Sequence, residues 1–286
     1  MDTMRPPPRQ SPLPKGRALF TYPPTPGAPR RALCPRPMHV FMRITLPVVV
    51  LLVASLGFGA SPEILEVGRF SAAVPGGDFP AGWKPLTFPK IGRHTSYALV
   101  RDGDDVVVKA ESQAASSGLT RELAIDPKEY SVIQWRWKIV TSIEKSDVTR
   151  KEGDDYPARL YVTFVYDSRK VGVLDQAKYE IARLAYGQYP PLGALNYIWG
   201  NKEPVGTIVP NPYTDRARMI VVETGADRLN HWITEERNLY EDYKAAFGDE
   251  PPMISGVAIM TDTDNTKASA IAYYGNLMFK KERDQH

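Results

Sequence analysis

Thiol chemistry is nearly absent from this 286-residue chain, whose one cysteine, Cys34, lies close to the N-terminus. The remainder can form no disulfide, no zinc–thiolate centre and no cysteine nucleophile. Long apolar runs are missing as well. The stretch from Ile44 to Phe58 is shorter than the roughly 20 residues that a spanning helix needs, and Pro47 interrupts it. There are only four histidines, and neither His94 nor His231 is accompanied by a nucleophile at triad-like spacing. An excess of positive charge is lacking too. The formal net charge is +3, but residues 1–43 hold eight Lys/Arg and one Asp, which leaves 28 basic against 32 acidic residues, or −4, beyond them. The body of the chain therefore shows no charge signature of nucleic-acid binding.

The N-terminal segment has its own character. Residues 1–37 are rich in Pro and Arg without apolar periodicity, a composition that cannot bury enough surface to offset ordering entropy, so a disordered extension is expected. Residues 38–60 then read as a secretory signal peptide: Arg43 ahead of the apolar run, and small Gly57, Gly59 and Ala60 at its exit, with cleavage near Gly59 or Ala60. Such peptides begin near the initiating Met, so Met38 or Met42 is the expected start; the alternative is a cytoplasmic tail ahead of a membrane anchor. Cys34 does not follow the apolar run, which argues against a lipoprotein anchor. Cleavage leaves no stable membrane span. Export without disulfides fits the periplasm of a Gram-negative bacterium.

Residues 61–286 suit one all-β domain. Strand patterns bounded by Gly, Pro, Asp and Asn recur at Ile64–Phe70, Tyr97–Arg101, Val106–Ala110, Leu119–Ile125, Val132–Val140, Arg159–Tyr166, Leu195–Trp199, Met219–Glu223, Ile254–Met260 and Ile271–Phe279. The segment Arg101–Asp105 reads as a hairpin signal, and Asn211–Thr214 as a turn. Two helical insertions are expected. One spans Leu174–Tyr186, with Leu174, Ala177, Ile181, Leu184 and Ala185 at helical spacing; the other spans Glu235–Phe247, stopped by Gly248. Many strands and two short helices predict a β-sandwich of the jelly-roll kind.

Strand alternation sorts the candidate ligand residues. In Val132–Val140, Trp135 and Trp137 share a face with Ile133 and Ile139 and so belong to the core, while Gln134, Arg136 and Lys138 share the other. Arg159 and Tyr161 alternate in the same way with Leu160 and Val162. If the two strands were neighbours, Arg136, Lys138, Arg159 and Tyr161 would line one polar face suited to a carboxylate-bearing or sugar ligand. A solvated face with each Arg paired to an acid is the alternative, and Asp154 and Asp155 stand ready for it. Trp199 and Trp232 are candidate stacking platforms at the rim, against ordinary packing at the core edge.

Asp262, Asp264 and Asn265 bunch where an apolar strand stops. They are not an EF-hand, because position six would be Lys267 and position twelve Tyr273. Ca²⁺ could still be held if other loops completed its shell; no other cofactor is indicated. A turn closing two strands is the plainer reading. Where Asp154, Arg159, Trp199 and Asp262 lie decides much: convergence on an open cleft makes a ligand site, and burial in mutual pairs makes a scaffold.

The segments Gln134-Trp-Arg-Trp-Lys138, Gly153-Asp-Asp-Tyr-Pro-Ala-Arg159, Asn196-Tyr-Ile-Trp-Gly-Asn201, Glu236-Arg-Asn-Leu-Tyr-Glu-Asp-Tyr243 and Ile259-Met-Thr-Asp-Thr-Asp-Asn-Thr266 resemble the bacterial domain-of-unknown-function family 3047. They run across nearly the whole exported domain. The resemblance implies no activity and no catalytic residues. The closing strand pair also resembles galactose-binding-like jelly rolls, an analogy of fold. The sequence thus leads first to an exported, non-catalytic binder of a glycan or other polar ligand. A carboxylate-dependent glycan hydrolase or lyase, and a structural partner in an envelope complex, stand as alternatives.

Overall fold

The computed structural model describes residues 62–186 and 189–282, all within the unit Gly59–His286. The expected extension and signal peptide lie outside the described residues. In chain order the first strands are β1 (Ile64–Gly68), β2 (Trp83–Leu86), β3 (Ser96–Asp102), β4 (Asp105–Gln113), β5 (Ser116–Ile125) and β6 (Val132–Ile139). Then come β7 (Arg159–Phe164), helix α1 (Val173–Tyr186), β8 (Gly193–Gly200), β9 (Ile208–Asn211) and β10 (Thr214–Thr224). Strand β11 (Ile233–Asn238), helix α2 (Leu239–Phe247), β12 (Ile254–Asp262) and β13 (Ser269–Lys280) complete the domain.

These strands form a six-stranded sheet in the order β11-β6-β13-β4-β3, with β1 also on β13, and a seven-stranded sheet in the order β2-β5-β12-β7-β8-β10-β9. All pairings are antiparallel except β8 with β10, which is parallel. The result is a β-sandwich of the jelly-roll kind. Its core is where the two inner faces meet. Trp135 and Trp137 lie inside, as their alternation requires, and meet the other sheet through Tyr197 (5.1 Å between rings) and Trp199 (6.1 Å). Each such ring contributes on the order of 4 kcal/mol of burial before entropy is subtracted. One consequence decides the site: β6 and β7 belong to different sheets, so their outward residues point to opposite sides of the sandwich.

Three strands are absent from the sequence pattern, and all three are sheet edges. β2 carries Pro85 and β9 carries Pro210, a residue that edges tolerate because one side of the ladder needs no donor. β11 replaces the first turn of the helix expected over Glu235–Phe247. The strand stops at Asn238, whose side chain accepts from the Glu241 backbone N–H at 3.1 Å and so caps α2, and Gly248 ends that helix in the left-handed conformation. Helix α1 forms where expected, but Leu174 and Ile181 of its apolar stripe are exposed. Tyr179 is the side chain that docks instead, donating its hydroxyl to the Pro191 carbonyl at 3.0 Å.

Candidate functional site

The outer face of the seven-stranded sheet holds Arg159, and it is closed. Arg159 is 1% exposed and grips Asp262 with two donors, Nε to Oδ1 at 2.8 Å and Nη2 to Oδ2 at 2.6 Å. Its Nη1 donates to Asp154 at 3.1 Å and to the Tyr161 hydroxyl at 3.2 Å, and Nη2 also reaches the Asp154 carbonyl. The Tyr156 ring lies 4.4 Å from the guanidinium. Burial and the acids around it push the Asp262 carboxyl up to about 7 against the pull of Arg159, and burial pushes the Tyr161 phenol up to about 12. Trp199 is fully buried on the inner side and donates its Nε1 to the Gly225 carbonyl at 3.0 Å, so it is no rim platform. Asp154, Arg159 and Asp262 are thus buried in mutual pairs, and Trp199 in the core. That is a scaffold.

The acidic loop belongs to the same scaffold. Asp155 joins Asp262 and Asp264 in an acidic cluster, with one oxygen from each within 4.8 Å of the others. Protein donors already occupy the two buried carboxylates. Asp262 takes Arg159 and the Tyr156 N–H at 3.1 Å, and Asp155 takes the backbone N–H groups of Asn265 (3.2 Å) and Thr266 (2.6 Å) and the Thr266 hydroxyl (2.6 Å). Asn265 turns its amide to the Lys151 carbonyl (2.8 Å) and the Tyr213 hydroxyl (2.6 Å). The loop carries the chain from β12 in one sheet to β13 in the other, with buried Asp262 at its start.

The outer face of the six-stranded sheet is different. Arg136 and Lys138 leave β6 side by side. Arg136 bonds Asp105 at 2.7 Å, and Lys138 bonds both oxygens of Asp102 at 2.8 and 2.7 Å. Both acids come from the tip of the β3–β4 hairpin, which brings them to the same face. Trp232, half-buried, lies 4.4 Å from the Arg136 guanidinium and donates its Nε1 to Asp102 at 2.7 Å. Lys138 also lies 4.6 Å from the Tyr273 ring. The Lys138 ammonium, with the Trp232 donor, holds the Asp102 carboxyl below its usual range. Arg136 can lie flat because β13 has Gly275 beneath it, at a break in register between Tyr274 and Leu277. A Cβ there would stand 2.4 Å from the Arg136 Cγ.

Beside this knot is an open groove of about 310 Å³, at the lower end of the roughly 300–1,000 Å³ of small-molecule sites. Gln134, Arg136, Thr234, Asn276, Met278 and Ser71 are among its lining. Asn276 is fixed by Ser71, accepting from its N–H at 2.9 Å and donating to its hydroxyl at 2.8 Å. Among the described residues the side chains of Gln134 and Thr234 have no hydrogen-bond partner. Of the six ligand candidates, then, Arg136, Lys138 and Trp232 come together, Arg159 and Tyr161 lie on the opposite face, and Trp199 lies between the sheets. Gln134 was visible from its parity with Arg136; Asp102 and Asp105 read only as turn residues, and Gly275 carried no signal without its partner strand.

Between these faces, Glu235 points inward from β11 and accepts from Trp137 Nε1 at 3.2 Å. Burial, with Glu223 nearby, pushes its carboxyl up to about 7. His231 is exposed, its Nδ1 against the Leu229 carbonyl at 2.9 Å.

The model of the family described as Protein of unknown function (DUF3047) matches residues 81–278. The chain belongs to the DUF3047 family. The match takes in both outer faces of the DUF3047 domain, including every ligand candidate. No match to a curated protein was found. Among solved structures, the domain is similar to a family 11 carbohydrate-binding module of a cellulosomal cellulase of Clostridium thermocellum, at 10% identity and a TM-score of 0.37, covering 79% of this chain and 100% of that one. A family 30 carbohydrate-binding module of the same organism gives 11% identity and a TM-score of 0.36, over 77% and 99%. The Emp47p carbohydrate recognition domain gives 14% and 0.38, over 77% and 96%. At such TM-scores the likeness carries no argument about ligand or activity. No helix among the described residues is long and apolar enough to cross a membrane.

Proposed function

We propose that this DUF3047 domain is an exported, non-catalytic binder of a glycan or similar polar ligand, seated in the groove on the outer face of the six-stranded sheet. One observation carries the reading: Gln134 and Thr234 face an open groove without side-chain hydrogen-bond partners among the described residues, beside an Arg136 that Gly275, Trp232 and Asp105 hold still. A fixed donor fork next to free amide and hydroxyl groups suits a ligand recognised by directional hydrogen bonds. Lys138 and Trp232 support Arg136 and border the site. Among the lining residues the only carboxylate is Asp105, already bound to Arg136, whereas glycoside hydrolysis uses two carboxyls roughly 5–10 Å apart. This lining supports binding. Export rests on the signal-like segment, and N-terminal sequencing of secreted protein tests it: a mature chain beginning near Ser61 is expected. Binding is tested by a thermal-shift screen against a saccharide panel, with Arg136→Ala as control. Lack of response to every saccharide would falsify the glycan reading.

The structural-partner reading has one observation of its own, the exposed Leu174 and Ile181 on α1. Co-purification with other envelope proteins, lost in Leu174→Ser/Ile181→Ser, is its test.

A further inference from the structure

The charge arrangement of the groove goes beyond the glycan reading, on which it rests, and specifies which kind of glycan. The sequence pattern alone, with Arg136 and Lys138 outward, suits an acidic sugar. The tertiary arrangement removes that attraction. Arg136 is committed to Asp105 at 2.7 Å and Lys138 to Asp102 at 2.7 Å. The next cation along the same face of β13, Lys280, is bound to Glu236 at 2.9 Å. Asp105 takes only the Nη2 of Arg136 and leaves its other N–H groups able to bond, but it compensates the positive charge, so an incoming carboxylate meets an ion pair rather than a free cation and gains no net attraction. Beside the remaining N–H groups of the charge-compensated Arg136, the lining side chains without a hydrogen-bond partner among the described residues are neutral: the Gln134 amide and the Thr234 hydroxyl, each able to donate and to accept. Met278 and Val107 add apolar surface to the same lining, suited to the C–H face of a sugar ring.

We infer that the groove takes an uncharged saccharide, and that Asp102 and Asp105 act as the selectivity element by masking the two cations. Asp105 is the residue whose removal should change the choice. With the Asp105 charge gone, Arg136 remains over Gly275 and under Trp232 but presents a free fork to the groove, which is the arrangement a uronate carboxylate requires.

The test uses the purified full-length chain, titrated calorimetrically with a panel of neutral oligosaccharides (gluco-, manno-, galacto- and N-acetylglucosamine oligomers) and with oligogalacturonates, at low and high salt. Wild type is expected to bind a neutral member with little salt dependence and to bind oligogalacturonate at least about tenfold more weakly, a difference of about 1.4 kcal/mol. Gln134→Ala and Thr234→Val are each expected to weaken the neutral ligand about tenfold or more. Asp105→Asn should gain oligogalacturonate binding that fades as salt rises. Thermal unfolding of each variant confirms that it is folded. Tighter, salt-sensitive binding of oligogalacturonate by wild type overturns the uncharged-ligand inference while leaving the groove as the site. Binding of neutral sugar that neither Gln134→Ala nor Thr234→Val affects overturns the groove itself. A response to no saccharide, in wild type and Asp105→Asn alike, overturns both.

Discussion

Arg136 and Arg159 have the same local signature, an arginine between apolar residues on a β-strand, and finish in opposite circumstances. Arg159 is 1% exposed, under a lid in which Val148, Tyr156 and Val209 pack on Ile198, Met219 and Val221 as a small second apolar cluster. Arg136 keeps a third of its side chain exposed (34%), flanked by one tryptophan, one hairpin tip and an open groove. Both are paired to aspartates. The difference lies in what covers the sheet. Where a loop seals the face, a polar residue must be fully satisfied inside the protein and becomes structural; where the face stays open, the same residue can serve a ligand.

This contrast can be broken experimentally. Arg159→Ala leaves Asp262 and Asp154 buried without their cation, and a stability loss of about 3–5 kcal/mol in urea unfolding is expected; a loss below about 1 kcal/mol would mean that the closed face is not a scaffold. Glu235 sharpens the comparison from the edge between the sheets. Its folded carboxyl ionises near 7 against an ordinary value of 4.5, so the folded state holds the extra proton and stability falls as pH rises from about 4.5 to 7. Glu235→Gln should remove that fall, raising stability at pH 8 by on the order of 2 kcal/mol relative to wild type. An unchanged pH profile would show that Glu235 ionises normally.

Gly275→Ala puts a methyl group where Arg136 lies, with an expected cost of about 1–3 kcal/mol and loss of the saccharide response. Arg136→Ala should cost no more than about 1 kcal/mol of stability, since an exposed pair and a cation–π contact are each small, while abolishing binding. Equal stability losses in Arg136→Ala and Arg159→Ala would erase the distinction. The smallest effect concerns the acidic loop: added Ca²⁺ or EDTA should leave Tm unchanged, because protein donors hold Asp155 and Asp262. A Ca²⁺-dependent rise in Tm that Asp264→Asn removes would place an ion there.

Legibility in the sequence followed burial. Strands buried on the inner side, such as β6 and β7, show clean alternation because one face must be apolar. The strands that escaped notice, β2, β9 and β11, are edges with Pro85, Pro210 or a Glu-rich stretch, residues that an unpaired ladder side accepts. Parity placed Arg136 and Lys138 on one outer face; Trp232, which lies beside them, was a rim candidate with no parity behind it. Trp199 kept two readings, rim platform and packing at the core edge, because a tryptophan at a strand end reads the same whether its partner is water or another sheet; it is buried in the core.

Local pattern therefore settles much of this protein: strands, turns, inward rings, outward cations and the family mark. Those features depend on residues within a few positions of one another, and periodicity reports them directly. Pattern cannot say which strands become neighbours, because pairing is decided by contacts such as Asp262 with Arg159, 103 positions apart. Tertiary structure separated Arg136 from Arg159, closed one face, left the other open, and brought Asp105 across to neutralise the cation that had pointed to an acidic ligand.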